Sequence, residues 1–303
     1  MCQPRRVGKM TRMMRRYRRL LRESKERWLT PPSHRWPYPV MFIAGLPKSG
    51  TVWLQQLLGS VPGYKIRWPY DPDDCIYNHD VCDAVFATLP RDLHSVVKLH
   101  TRCTPANVQV LEKFNLRTVV MYRDPRAQSL SRYFHVLHDP SHRHHSLYNS
   151  ITQEAGLRHS IELTLSEYVP WIKGWLPQLR QHPERFHEVR YRDLRTRPVQ
   201  TLSRVLDFYR IHLAEDEVKS IIEQVAANTK FDLRDNLRKG RGTARKGIVG
   251  DWRNHFTDAH VSQFKETCGE FLIELGYERD LDWALAPQHG AAELANSMQG
   301  SRV

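Results

Sequence analysis

Gly45-Leu46-Pro47-Lys48-Ser49-Gly50-Thr51-Val52-Trp53 follows the apolar run Val40–Ala44 and precedes Leu54, Leu57 and Leu58. A short β-branched run, a glycine-bounded turn and leucines at helical spacing predict a strand, a phosphate loop and a helix. Such a loop aims backbone N–H groups and the positive end of a helix dipole at an anion. The position of the lysine decides which anion. A Walker-type nucleotide loop needs Lys directly after Gly50; Thr51 stands there, and the lysine lies two residues before the glycine. The loop is therefore a poor ATPase loop, and no apolar run ending in Asp offers a Mg²⁺ ligand.

Outward from this loop, β-like runs at Val40–Ala44, Ser95–Leu99, Arg117–Tyr122 and Phe186–Arg190 alternate with helix-like ones. These helices are Thr51–Ser60, Pro105–Phe114, Arg126–Leu137, Leu165–Gln181, Pro198–Tyr209, Glu215–Asn228 and Asp258–Leu275. Continuous apolar strands separated by helices predict an α/β fold of the three-layer P-loop type, a central parallel sheet flanked by helices in a single domain. The ligand is then expected beyond the carboxyl ends of the strands. No linker interrupts residues 40–285, so the expected division is an N-terminal extension over 1–37, one domain over 38–285 and a loose tail over 286–303.

Four further segments fall at strand ends or in loops. They are Lys98-Leu99-His100; Tyr122-Arg123-Asp124-Pro125 leading to Ser131; Tyr191-Arg192-Asp193-Leu194; and Arg245-Lys246-Gly247-Ile248-Val249-Gly250-Asp251-Trp252. Together with the loop Pro47-Lys48-Ser49-Gly50-Thr51-Val52-Trp53, and in this order, they resemble the cytosolic-type sulfotransferases, P-loop-fold transferases that use 3′-phosphoadenosine 5′-phosphosulfate (PAPS). The resemblance spans residues 40–257. It implies that Lys48, Ser49, Gly50, Thr51 and Val52 hold the 5′-phosphate and that Trp53 stacks on the adenine. It also implies 3′-phosphate contacts from Arg123, Ser131, Arg245, Lys246 and Gly247, and further nucleotide contacts from Tyr191, Thr229 and Phe231. His100 stands where the family has its catalytic base, and Lys98 and Lys48 would assist. The chemistry agrees: dispersed cations rather than a metal suit a phosphosulfate, and a neutral imidazole suits removal of a hydroxyl proton near pH 7. The expected acceptor is a small alcohol or phenol, drawn into segments around Trp68–His79, Phe134–Tyr148 and Trp171–Trp175. A carbohydrate or glycolipid acceptor with the same PAPS site is the alternative, and a membrane- or nucleic-acid-binding module with a vestigial loop is the reading from another class.

Composition bounds the rest. The 303 residues are 40% hydrophobic and 26% charged, as in ordinary globular proteins. No run approaches a membrane span, no apolar secretory signal opens the chain, and five cysteines without Cys-x-x-Cys spacing fit reduced thiols in a cytoplasmic protein. The net charge of +13 is concentrated: residues 1–30 carry eleven Lys or Arg against two Glu, a net +9, which leaves +4 for the remainder. Within that segment Met10, Met13, Met14, Tyr17, Leu20, Leu21 and Trp28 form a helical stripe over about residues 9–28. It reads as a helix docked on its own domain or a neighbour, as a peripheral anchor on an anionic membrane surface, or as an organelle transit segment. Specific nucleic-acid binding is not expected.

Two clusters superficially resemble metal sites. His138, His142, His144 and His145 surround Asp139-Pro140, and Asp71, Asp73 and Asp74 lie between prolines; both read as polar turns, with no metal expected. The family's dimer motif, Lys-x-x-x-Thr-Val-x-x-x-Glu, is degraded in Arg253–Ser262, where only the basic first position and Thr257 survive. A monomer or a different dimer is expected.

Overall fold

The computed structural model describes residues 36–68, 79–87, 89–238 and 247–283 and some positions between 14 and 34; from 229 to 238 it describes the backbone alone. The chain divides into two compact units, one from residues 1–123 and 170–239, the other from 124–169 and 240–303. It passes from one to the other three times, after residues 123, 169 and 239, so no single cut in the sequence separates them.

The first unit is built on five parallel strands: β1 (Val40–Gly45), β2 (Tyr64–Ile66), β3 (His94–Leu99), β4 (Thr118–Tyr122) and β5 (Phe186–Arg190). Their order is β2-β3-β1-β4-β5, every neighbouring pair parallel. Four of the five are the apolar runs read from the sequence. β2 was not expected, because three residues with one lysine carry too little pattern. Alternation of side chains sends Met41, Ile43, Val96, Val119, Met121 and Val189 to one face. There they pack on Leu54, Leu57 and Leu58 of α1 (Thr51–Gly59) and on residues of the helices Pro198–Phe208 and Glu215–Arg238. Full burial of each leucine contributes about 1.5–3 kcal/mol. On the opposite face Phe42 meets Phe86 of the helix Asp83–Ala87 with ring centres 5.4 Å apart, and Phe186 meets Trp175 of the helix Val169–Gln181 at 5.6 Å. The sheet is thus covered on both faces, as its uninterrupted apolar strands require. Strands on either side of β1 are reached by crossovers in opposite directions, which opens a crevice at its carboxyl end.

The second unit contains the helices Pro125–His138, His145–Ser150, Gln153–Leu163 and Asp258–Glu274, with a π-helical turn at Thr164–Tyr168 and a 3₁₀ turn at Asp251–Asn254. Its centre is cationic. The guanidinium of Arg126, in a residue only 1% exposed, lies 4.3 Å from the ring centre of Trp252 and 4.5 Å from that of Trp283. It pairs with Asp124 at 2.8 Å and with Glu278. Thr257 and Arg253, the two survivors of the dimer motif, have work within the chain. The N–H of Thr257 donates to His260 Nδ1 at 3.1 Å at the start of a helix, and Arg253 stacks on Trp252 at 4.3 Å.

At the N-terminus, Met14, Tyr17, Leu20, Leu21 and Trp28 have helical backbone, but they are exposed rather than packed on the chain's own core. Glu23 is buried instead, and Glu26 pairs with Arg67. Residues 9–13, 15, 16, 18, 19 and 27 of the expected helix 9–28, the Asp71–Asp74 turn and the tail 286–303 lie outside the described residues.

Candidate functional site

The loop after β1 is shaped by two glycines. Gly50, the residue before α1, has φ 80°. A Cβ there would lie 2.6 Å from the Tyr191 ring, so both conformation and space demand glycine. At Gly45 a Cβ would lie 2.3 Å from Thr51 Cγ2, so the strand end and the helix start touch only because that side chain is missing. Lys48 also has a positive φ, 63°, a strained conformation for a residue with a Cβ, which is the kind of strain that gathers at functional sites.

The start of α1 is prepared for an anion. The helix Pro105–Lys113 is capped by Thr104 and the helix Pro125–His138 by Asp124, whose side chains accept backbone N–H groups. α1 has no side-chain cap and no acidic residue in its first turn. Beside it the hydroxyl of Ser49 is fully buried and has no hydrogen-bond partner among the described residues. A buried hydroxyl without a partner costs roughly 1–3 kcal/mol, which a phosphate oxygen would offset. These features fit a 5′-phosphate held by Ser49, Gly50, Thr51 and Val52.

His100 stands just beyond β3. Its Nδ1 lies 2.5 Å from the carbonyl oxygen of Gly45. A carbonyl only accepts, so Nδ1 carries the proton and the basic lone pair is on Nε2. The backbone around His100 is held as well: its own carbonyl accepts from His79 Nδ1 at 3.1 Å and from Trp171 Nε1 at 3.3 Å. Burial, then the charge of Lys98, lowers the His100 pKa to about 3, against a raising contribution from the Gly45 bond; Lys48 and His79 lower it further. The imidazole is neutral at pH 7. Lys98 is itself buried, its pKa lowered by burial, with its ammonium 5.8 Å from the ring centre of Trp68. Among the described residues no carboxylate pairs with it. Lys48, Lys98, His79 and His100 thus interact around one spot at the carboxyl end of the sheet.

Arg123 follows β4, and its guanidinium lies 4.3 Å from the ring centre of Tyr191, which follows β5. Tyr191 opens a short helix, Tyr191–Thr196, rather than sitting in a loop. The carboxyl ends of β1, β3, β4 and β5 and the segments after them therefore supply most of the first unit's candidate residues, including half-buried Trp53. Ser131 lies half-buried in the helix Pro125–His138 of the second unit. Thr229 and Phe231 belong to the helix Glu215–Arg238, and their side chains lie outside the described residues, as do Arg245 and Lys246. Gly247 is described, with φ 67°.

Two features were not foreseen. The carbonyl of Gly45 as the partner of His100 leaves no trace in a sequence. Arg126 as the buried centre of a Trp252–Trp283 stack could have been sought from a basic residue two positions after a capping Asp, but Trp252, Trp283 and Glu278 lie more than a hundred residues away. The His138–His145 segment is a turn leading into a short helix, with His142 Nδ1 accepting from the N–H of His144 at 3.1 Å. Among the described residues no three metal-ligating side chains gather.

The family profile described as the sulfotransferase domain matches residues 39–276. A flavonol 3-sulfotransferase from Flaveria bidentis is 22% identical over 272 residues, covering 78% of this chain and 82% of that protein. Sulfotransferase 2B1 of Mus musculus is 27% identical over 255 residues, 74% of this chain and 68% of that protein. Among solved structures, mouse sulfotransferase SULT7A1 complexed with PAP superimposes with a TM-score of 0.62 at 18% identity, covering 78% of this chain and 86% of that one.

Proposed function

The chain belongs to the sulfotransferase family, and from that premise we propose that it transfers the sulfuryl group of PAPS to the hydroxyl of a small alcohol or phenol. The observation that carries this reading is the bond between His100 and Gly45. The residue that begins the phosphate loop also orients the imidazole, so donor loop and base are held in one fixed relation.

Bound PAPS supplies an activated sulfuryl group and a phosphate leaving group. The N–H groups at the start of α1 and the Ser49 hydroxyl hold the 5′-phosphate, and Lys48 meets the charge that builds on the leaving oxygen. Lys98, desolvated and lacking a carboxylate partner among the described residues, stabilises negative charge on the sulfuryl oxygens. His100 Nε2 accepts the proton of the acceptor hydroxyl. A pKa near 3 makes it a weak base in the free protein. The negative charges of a bound phosphosulfate raise it, because a nearby anion favours the imidazolium that forms. Trp53 and Tyr191 flank the adenine, and Arg123 binds the 3′-phosphate. The 3′-phosphate contacts of Ser131, Arg245, Lys246 and Gly247, and the nucleotide contacts of Thr229 and Phe231, rest on the family resemblance alone. His79, Trp68 and Trp171 give the acceptor side an aromatic character, which favours a phenol or hydrophobic alcohol over a sugar.

The test is transfer of label from [³⁵S]PAPS across phenols, sterols, aliphatic alcohols and oligosaccharides. Sulfated phenol or alcohol with release of the 3′,5′-bisphosphate is expected. Label in oligosaccharides alone, or in no acceptor, overturns the reading.

A further inference from the structure

The described positions of the N-terminal helix reverse the usual arrangement of an amphipathic segment on a globular protein. Its apolar residues face away from the protein: Met14 is 52% exposed, Tyr17 60%, Leu20 49%, Leu21 54% and Trp28 90%. At about 100° per residue these five fall within one side of the helix, and Glu23 and Glu26 fall on the other. Glu23 is 6% exposed, and Glu26 forms an ion pair with Arg67. These are the only acidic residues in positions 1–30, against eleven Lys or Arg. The segment's two negative charges are therefore turned toward the protein, while the exposed apolar stripe has exposed Arg22 and Lys25 beside it.

We propose that this face docks the protein on an anionic lipid surface. Apolar side chains that include Trp and Tyr, bordered by cations, match the boundary between headgroups and acyl chains, where aromatic rings settle and basic residues meet lipid phosphates. A nucleic acid would use the cations but has no need of five exposed apolar side chains. A second copy of residues 1–30 would bring +9 against +9, which opposes association. The chain's own core is excluded as the occupant by the exposure of the stripe. The inference is independent of the sulfuryl-transfer reading, since every residue in it lies outside the candidate site.

Vesicle sedimentation with the full-length protein tests the proposal, using phosphatidylcholine alone or mixed with phosphatidylserine. The variants are Leu20→Glu with Leu21→Glu, Trp28→Glu, and Arg22→Glu with Lys25→Glu. Because these side chains are exposed, the variants should fold, and circular dichroism and transfer to a soluble acceptor check that they do. The parent should bind mixed vesicles at least about tenfold more tightly than neutral ones. Each variant should lose about tenfold or more, and molar salt should weaken the parent's binding. Equal affinity for both vesicle types, no binding by the parent, or unchanged binding in the Leu20/Leu21 variant overturns the proposal. So does a dimer in sedimentation velocity that the apolar variants dissociate, or tight RNA binding sensitive only to the charge variant.

Discussion

In the role of base proposed for it, His100 must meet two requirements: an imidazole must be neutral to accept a proton, yet well oriented to do so usefully. Burial and Lys98 supply the neutrality, and the Gly45 carbonyl supplies the orientation. His100→Ala should lower kcat by about 10²–10⁴-fold while the Kd for the 3′,5′-bisphosphate, measured by calorimetry, stays within about twofold. Loss of nucleotide affinity along with rate would make His100 a structural residue. Because its pKa lies near 3 in the free protein, kcat/KM should show no acid limb from His100 near pH 6.5. Lys48→Met should lower kcat by about a hundredfold or more, as removal of a preformed oxyanion donor does. Arg123→Ala should weaken nucleotides bearing a 3′-phosphate by about 1.5–3 kcal/mol relative to those lacking it, read as a ratio of two Kd values. An unchanged ratio would mean that this phosphate is read elsewhere. At this scale the sequence was informative about identity and silent about partners. Lys48, Lys98, His100 and Arg123 were singled out through the joint resemblance of their segments to the sulfotransferases, but a backbone carbonyl as the orienting group for His100 has no side-chain signature.

The elements explain why these residues meet. Apart from Thr229 and Phe231, each site segment of the first unit lies where a parallel strand ends, and the turn after β1 works only with glycine at its tightest points. Gly50→Ala places a Cβ against Tyr191 at a positive φ. It should cost about 1–3 kcal/mol in urea unfolding and weaken nucleotide binding; full stability would mean that the loop relaxes. In the second unit Arg126→Met leaves the carboxylates of Asp124 and Glu278 without their buried partner and should destabilise by about 3–5 kcal/mol. Four strands were legible because each is a continuous apolar run buried on both faces. β2 has three residues, two of them exposed, and so lacks that pattern. The helix Tyr191–Thr196 was hidden because the sequence Tyr191-Arg192-Asp193 begins directly at a strand end, with no side-chain cap to announce it.

On the scale of the molecule, histidines shape the response to acid. His100, His142, His144, His187 and His260 all have pKa values lowered by burial. In the unfolded chain these groups take up protons below about pH 6.5, whereas in the folded chain they do so only at lower pH. The unfolded state then binds more protons, so stability is fully present above pH 6.5 and falls as the pH drops through the window below it. Thermal unfolding should show Tm decreasing by more than about 3 °C from pH 7.5 to 5.5. A flat Tm would mean that the histidines titrate alike in both states. The parallel sheet was legible at this scale from strand–helix alternation. The division into two units was not, because each is assembled from separated stretches of chain and neither is bounded by a linker.

The strand order also sets a timetable for synthesis. β1 emerges first but finds its neighbours only after His94 and Thr118 have been made, and β5 follows near Arg190. Before it does, the ribosome must also deliver residues 124–169, which belong to the other unit. Pairings so distant in sequence form slowly, because loop closure must precede the contacts that stabilise it. A nascent chain stalled before Phe186 therefore carries the complete phosphate loop but lacks both β5 and the Tyr191 ring beyond it, on which Arg123 is seated. Capture of stalled chains on an immobilised bisphosphate nucleotide should begin only once the ribosome has passed that point, so ligand binding would serve as a clock for closure of the sheet.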